Sequence, residues 1–309
     1  MPSNWTSCRH LKHNTFEAEY FINYGDFLRL NNRNPKSHKG NNGRLLVVGG
    51  SKDYSGAPAI AGMAAIGAGA DLVYVASPQK TAEAIKSTSP DLIVKSLDGD
   101  KLTLNHADEI LELAEKVDAV LIGPGAGMDG ETSKLFNVLV AKIKKPIVID
   151  ADGLKQVERA LIKNREDIIL TPHIFEFKSF FKIDDDLNLD IDSFDFRMVD
   201  ENITQFQQIT REIKASVIVK GKYDLILSGT RFKINKSGNA GMTVGGTGDA
   251  LAGICTSLLS QGINSFDSAS LGAFINGLAG DRAFEVKGNG FSATDLVSYI
   301  GSVIKDGLC

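Results

Sequence analysis

Short runs of apolar, mostly β-branched residues recur between positions 44 and 219, and stretches with helical spacing separate them. The runs cover residues 45–48, 72–75, 92–94, 119–122, 146–149, 168–170 and 217–219. Their apolar residues are consecutive rather than alternating, which indicates strands that are buried on both faces. This pattern predicts an α/β fold with a mainly parallel central sheet that helices cover on both faces.

Glycines and polar residues directly follow five of these runs. The five segments are Gly49-Gly50-Ser51, Gly123-Pro124-Gly125, Asp150-Ala151-Asp152-Gly153, Thr171-Pro172-His173 and Lys220-Gly221. Ligands bind outside the carboxyl ends of the strands in open α/β sheets. We therefore expect the five segments to converge on one rim of the sheet.

After residue 219, the sequence predicts a hairpin followed by helices. Two short strand patterns, residues 223–227 and 231–234, flank Ser228-Gly229-Thr230 and predict a short antiparallel edge. Apolar residues at helical spacing predict helices over residues 249–260, 265–284 and 292–305. The acidic segment 183–195 indicates a surface loop or the start of an exposed helix. We expect an N-terminal extension over residues 1–40 and a single domain over residues 41–309.

Charge and cysteine content limit the classes of function. A net charge of −4 argues against a general nucleic-acid or anionic-membrane surface, because such surfaces rely on clustered positive charge. Cys8, Cys255 and Cys309 are far apart and odd in number, which fits neither a disulfide framework nor a metal knuckle. With no pattern typical of a secretory signal, the sequence predicts a cytoplasmic protein.

The segment from Gly238 to Gly253 contains six glycines and one acid, and an apolar stretch follows the acid. A helix that begins near Gly248 would direct unpaired N–H groups and its positive dipole end at an anion. Asp249, just inside that helix, would lie beside a bound phosphate and could take a proton from an attacking hydroxyl. The segment therefore predicts a phosphate site with a base.

The other strand-end motifs each allow a structural and a functional interpretation. Residues 49–58 and the cluster at 123–127 could contact a ligand through their backbone or serve only close packing and tight turns. Asp150 and Asp152 could organise a metal ion and its waters, or Asp152 could cap a helix. His173 with Glu176 could touch substrate at the rim or be structural. Residues 220–224 could hold a nucleotide or simply form a β-turn.

Taken together, the motifs resemble those of the ADP/ATP-dependent NAD(P)H-hydrate dehydratases, a branch of the ribokinase-like superfamily. The resemblance begins near Lys39 and rests on His38-Lys39-Gly40, Gly49-Gly50-Ser51 with Gly56-Ala57, Gly123-Pro124-Gly125, Asp150-Ala151-Asp152, Leu170-Thr171-Pro172-His173 with Glu176-Phe177, Val219-Lys220-Gly221 and residues 238–249. It implies a ribokinase-like fold and a lyase that repairs NADHX and NADPHX. These compounds are NADH and NADPH whose nicotinamide ring has taken up water at C6.

The resemblance also implies roles for individual residues. Asp249 would be the base, and Gly246, Thr247 and Gly248 would form the anion hole for the transferred phosphate. ADP or ATP would lie along Lys220, Gly221, Lys222, Tyr223 and Asp224 and near Gly248. The hydrated dinucleotide would contact Ala57, Pro58, Gly125, Gly127, His173 and Asp249. Mg²⁺ and a homo-oligomer, often a tetramer, are further implications.

The chain departs from the family pattern in two places. Family members usually have Pro-Gly-Glu after the histidine, where this chain has Ile174-Phe175-Glu176. Many relatives also carry an N-terminal epimerase domain, and residues 1–40 are too few to encode one. We therefore expect epimerase activity on a separate chain.

Other functions remain compatible with the sequence. A ribokinase-like kinase acting on a vitamin-precursor alcohol would share the Gly-Asp motif, whereas the complete motif set favours dinucleotide repair. A non-catalytic nucleotide-binding module would not need Asp249. The motifs do not decide between ADP and ATP, although resemblance to microbial members favours ADP.

Overall fold

The computed structural model describes residues 20–30, 33–184, 189 and 199–308, without the side chains of 199–202. Its strands are β1 (Arg44–Val48), β2 (Leu72–Pro78), β3 (Ile93–Leu97), β4 (Ala119–Ile122), β5 (Ile147–Ile149), β6 (Ile168–Leu170), β7 (Ser216–Val219), β8 (Asp224–Ser228) and β9 (Arg231–Asn235). They form one sheet in the order β3-β2-β1-β4-β5-β6-β7-β8-β9. Pairing is parallel from β3 to β7 and antiparallel for β7-β8-β9, which confirms the predicted sheet and its antiparallel edge.

Helices cover both faces of this sheet. They are α1 (Gly56–Gly67), α2 (Gln79–Thr88), α3 (Ala107–Glu115), α4 (Gly130–Lys142), α5 (Asp152–Gln156), α6 (Ile174–Phe181), α7 (Val199–Thr210), α8 (Thr247–Ser260), α9 (Ser265–Lys287) and α10 (Ala293–Gly307). Within β1, Leu46 and Val48 pack into one apolar cluster, and Leu45 and Val47 pack into the other. Burial on both faces explains why residues 45–48 are apolar at every position.

The first described residues pack against the antiparallel edge. The Ile22 N–H donates to the Ile234 carbonyl over 3.0 Å, so this segment continues the sheet beyond β9. A 3₁₀ helix, Tyr24–Arg29, then places the buried ring of Phe27 5.8 Å from that of Phe274 in α9. The division between residues 40 and 41 stays a prediction.

The acidic segment 183–195 lies largely outside the described residues. Across the described ranges, none of the helices combines the length and apolar character that a membrane crossing requires.

Candidate active site

The strand-end segments meet at one rim, as the sequence predicts. The Gly50 N–H donates to the Pro124 carbonyl over 2.8 Å, which joins the loops after β1 and β4. These neighbouring strands lead to connections on opposite sides, so the chain has a topological switch point there. Further along the rim, the Lys220 N–H donates to the Pro172 carbonyl over 2.8 Å.

Several rim glycines are required by close backbone approach. A Cβ on Gly49 would lie 2.3 Å from the Pro124 carbonyl oxygen, and one on Gly123 would lie 2.0 Å from that of Asp150. Gly125 and Gly127 have positive φ angles of 61° and 76°, which favour glycine. The packing interpretation therefore holds for these loops, whether or not they also contact a ligand.

The glycine-rich run ends in the N-terminus of α8. The helix begins at Thr247, and its N-cap residue is Gly246. Gly246 has a φ of 99°, and it has no side chain that could cap the helix. A Cβ on Gly246 would lie 2.8 Å from the side chains of Ala293 and Ile60, whereas one on Gly248 would lie 3.4 Å from Lys220 Nζ. Gly246 thus serves packing, and Gly248 leaves room beside a cation. The first N–H groups of α8 lack intrahelical acceptors and form an anion-binding end.

Asp249 lies in the first turn of α8, partly buried. Burial, with the nearby carboxylates of Asp150 and Asp152, raises its pKa to about 7, although the ammonium of Lys220 opposes this shift. A carboxyl group with this pKa can both take and release a proton near neutral pH.

Lys220 extends from the end of β7 toward this helix. Its Nζ lies 3.3 Å from Asp150 Oδ1, which also accepts a 2.6 Å hydrogen bond from Thr171 Oγ1. Burial disfavours the ammonium, but Asp150 and Glu176 outweigh that effect and raise the pKa of Lys220. The lysine therefore stays charged beside Gly248, and Asp150, which is 1% exposed, holds it there.

The turn after β5 is strained at Ala151, which has a φ of 50° and a ψ of −121°. The Gly153 N–H donates to the Asp150 carbonyl over 2.9 Å and closes the turn around it. Residues other than glycine rarely adopt this conformation, and such strain often occurs at functional sites. The turn places Asp150 and Asp152 on either side of Ala151.

Asp152 is the first residue of α5, and Ala151 is the N-cap, so the prediction that Asp152 caps the helix is wrong. Asp152 Oδ2 accepts a 2.9 Å hydrogen bond from the Gly127 N–H, and Asp152 Oδ1 lies 3.4 Å from Lys155 Nζ. No group of three or more His, Cys, Asp or Glu residues in the described ranges could hold a metal ion. Mg²⁺ usually needs only one or two protein carboxylates beside substrate phosphates, a requirement that Asp152 and Asp249 fit.

His173 is the N-cap of α6 and forms a reciprocal capping box with Glu176. Its Nδ1 accepts from the Glu176 N–H over 3.2 Å, and Glu176 Oε2 accepts from the His173 N–H over 3.0 Å. Burial and the cations Lys220 and Lys155 lower the pKa of His173, although Glu176 opposes them. The neutral imidazole consequently carries its proton on Nε2.

The predicted nucleotide segment divides into exposed and inward-facing residues. Gly221 and Lys222 are exposed, and Lys222 Nζ lies 5.3 Å from the centre of the Tyr223 ring. Asp224 instead accepts hydrogen bonds from Asn235 Nδ2 at 2.9 Å and from the Gly221 N–H at 3.3 Å, and burial raises its pKa to about 6. The Asp224 side chain therefore shapes the turn.

The predicted substrate residues of α1 lie in its first turn. Ala57 is half-buried, and its Cβ would lie 3.1 Å from a Cβ on Gly125. Pro58 is buried against Gly50, so its position is determined by packing. Ala57 therefore borders the loop that contains Gly125.

Three polar residues that support the glycine-rich run were not predicted. Asp281 accepts from the Gly238 N–H at 3.0 Å and from Asn239 Nδ2 at 2.9 Å. Asn276 Nδ2 donates to the Thr247 carbonyl over 3.3 Å, and Asn235 is a buried hub beside Asp224. The signal available in the sequence was a polar side chain within an otherwise apolar helix, at positions 276 and 281.

Sequence comparisons identify the relatives of this chain. A model of the NAD(P)H-hydrate dehydratase family matches residues 45–302. The chain is 49% identical over 293 residues to a bifunctional NAD(P)H-hydrate repair enzyme of Methanothermobacter thermautotrophicus, covering 94% of this chain and 55% of that enzyme. It is 35% identical over 275 residues to an ADP-dependent (S)-NAD(P)H-hydrate dehydratase of Cenarchaeum symbiosum, covering 88% and 92% respectively. The chain spans about half the length of the bifunctional relatives.

Solved structures share the fold. An ADP/ATP-dependent NAD(P)H-hydrate dehydratase from Bacillus subtilis, co-crystallised with ATP/Mg²⁺, aligns with a TM-score of 0.73 and 20% identity over 93% of this chain and 98% of that one. A ribokinase-like superfamily protein from Enterococcus faecalis aligns with a TM-score of 0.79 and 21% identity over 97% and 99%. These likenesses confirm the predicted ribokinase-like fold. The family match over residues 45–302 shows that the chain belongs to the NAD(P)H-hydrate dehydratase family.

Proposed function

We propose that this chain is a hydro-lyase that uses ADP or ATP to dehydrate (6S)-NADHX and (6S)-NADPHX to NADH and NADPH. The observation that carries the proposal is Asp249, whose pKa is about 7, in the first turn of a helix whose N-terminus lies beside the Lys220 ammonium. Family membership and the name of the Cenarchaeum symbiosum relative support this substrate and co-substrate.

In the first step, the C6 hydroxyl oxygen of the hydrate attacks the terminal phosphorus of the nucleotide. Asp249 takes the hydroxyl proton, and the bond from phosphorus to the bridging oxygen breaks, releasing AMP from ADP or ADP from ATP. The N–H groups at Gly246, Thr247 and Gly248 and the Lys220 ammonium neutralise charge on the transferred group. Asp150 keeps that ammonium in place.

In the second step, the C6–O bond breaks and phosphate leaves with the oxygen. The lone pair of the ring nitrogen assists departure of the phosphate, and transfer of the C5 proton to the leaving phosphate restores the C5–C6 double bond. The same anion-binding groups stabilise the leaving phosphate, so one site serves both steps. Mg²⁺, held by Asp152 and the nucleotide phosphates, would supply further charge neutralisation.

The remaining contacts of the proposal concern binding. Lys220, Gly221, Lys222 and Tyr223 hold the nucleotide, and Asp224 maintains the turn that presents them. Gly125, Gly127, Ala57 and Pro58 border the dinucleotide, and His173 offers its Nε2–H to an acceptor on it. A cytoplasmic homotetramer and a partner epimerase in the same pathway are also parts of this proposal.

The test supplies hydrated NADH or NADPH with ADP or ATP and follows the return of dihydronicotinamide absorbance together with phosphate release. We expect one phosphate for each reduced dinucleotide that forms, and no turnover without nucleotide. Comparing ADP with ATP at equal concentration identifies the preferred co-substrate. A stable phosphorylated product from a vitamin-precursor alcohol, with no return of absorbance from the hydrates, would instead establish the kinase alternative.

A further inference from the structure

One large apolar side chain stands exposed at the rim beside His173. Phe175 is 74% exposed in the first turn of α6. The other phenylalanines of this helix, Phe177, Phe180 and Phe181, are buried in the core.

The backbone around Phe175 is firmly held. α6 begins directly after the end of β6, and the capping box of His173 and Glu176 determines how the helix starts. A bridge between His173 and Lys220 joins this start to the neighbouring strand end. The position of residue 175 relative to the anion-binding end of α8 is therefore set by the sheet rather than by a free loop.

The Phe175 ring lies against the site-facing imidazole. The two ring centres are 6.0 Å apart, with an angle of 73° between the planes, an edge-to-face arrangement. The charges of Lys220, Lys155 and Asp150 all act on His173, so the imidazole borders the polar centre of the site. The Phe175 ring thus stands next to the imidazole, with most of its surface open.

We propose that Phe175 binds the substrate by stacking on the adenine ring of the hydrated dinucleotide. This inference rests on the proposed function and adds a binding residue to it. Adenine is the planar aromatic ring of this substrate, because hydration at C6 leaves three saturated carbons in the nicotinamide ring and removes its flat face. An exposed phenylalanine on a rigid helix start suits this task, because it loses little conformational freedom on binding.

The test compares Phe175→Ala and Phe175→Trp with the wild type in the dehydration assay. Base stacking on an aromatic side chain predicts a rise in KM of about 5- to 100-fold for the alanine variant, with kcat little changed. Tryptophan restores a flat face and should return KM toward the wild-type value. The control is Leu28→Ala, which removes a side chain that is 90% exposed outside the site and should leave both constants unchanged.

A second substrate tests whether adenine is the ring that stacks. The hydrate of reduced nicotinamide mononucleotide lacks adenine, so a rise in KM on the dinucleotide alone supports stacking on adenine, and an equal rise on both substrates would overturn it. Calorimetric binding of the product NADPH, which carries the same adenine, measures the loss of affinity without turnover. Unchanged KM and unchanged NADPH affinity in Phe175→Ala would overturn the stacking role. If the wild-type protein lacks dehydratase activity but binds NADPH, and Phe175→Ala weakens that binding, only the proposed reaction is refuted.

Discussion

Replacing Asp249 with asparagine should stabilise the protein at alkaline pH while removing its activity. In the folded state the pKa of Asp249 is about 7, compared with an ordinary value of 3.8, so folding opposes ionisation of this carboxyl group. At about 1.4 kcal/mol for each tenfold change in proton affinity, the full difference corresponds to about 4 kcal/mol. Because the side chain is only partly buried, we expect about half of that, roughly 2 kcal/mol, as the observed gain.

The sign of the effect depends on pH. A raised carboxyl pKa means that the folded protein binds the proton more tightly than the unfolded chain does, so stability falls as pH rises from about 4 to about 7. Asparagine does not ionise and avoids this loss. The variant and the wild type should therefore be equally stable near pH 4 and should differ most near pH 8.

Urea denaturation near both pH values measures the difference, and Asp108→Asn, at an exposed carboxylate in α3, is the matched control. In the dehydration assay, Asp249→Asn should lose at least about 100-fold in kcat, and wild-type kcat/KM should fall below about pH 7 as the base becomes protonated. Equal or lower stability of Asp249→Asn near pH 8 would refute the burial argument. Turnover near the wild-type rate would show that Asp249 is not the base.

Three further perturbations test the site. Lys220→Met leaves Asp150 buried without its cation. Turnover should fall at least about 100-fold, and the free energy of unfolding should fall by about 3 kcal/mol. Unchanged phosphate release would contradict this role of Lys220. Ala151→Gly relieves a strained φ and should raise the free energy of unfolding by about 1 kcal/mol in urea, and a loss would exclude strain there. Gly246→Ala should destabilise the protein by more than about 2 kcal/mol. The control is Gly245→Ala, whose added Cβ meets nothing within 4 Å and should change the melting temperature little. Equal effects of the two substitutions in thermal melting would contradict the packing role of Gly246.

The sequence alone predicted most of the sheet and the location of the site. Runs such as residues 119–122 and 168–170 are apolar at each position, and only burial on both faces of a parallel sheet accounts for that pattern. Parallel strands end at a common edge, so the residues after them, including Asp150 and Lys220, had to meet. The start of α8 near Gly248 also followed from local glycine content, with an error of one residue.

The tertiary structure alone decided how these residues act. The raised pKa of Asp249 comes from burial and from the charge of Asp150, which is distant along the chain, and sequence spacing carries no information on through-space fields. In the same way, Gly246 and Gly248 look alike in sequence, but one meets Ala293 and Ile60 and the other meets the Lys220 ammonium. The strand pattern is local and periodic and can be read from the chain, whereas charge, burial and close contact arise only when distant segments pack together.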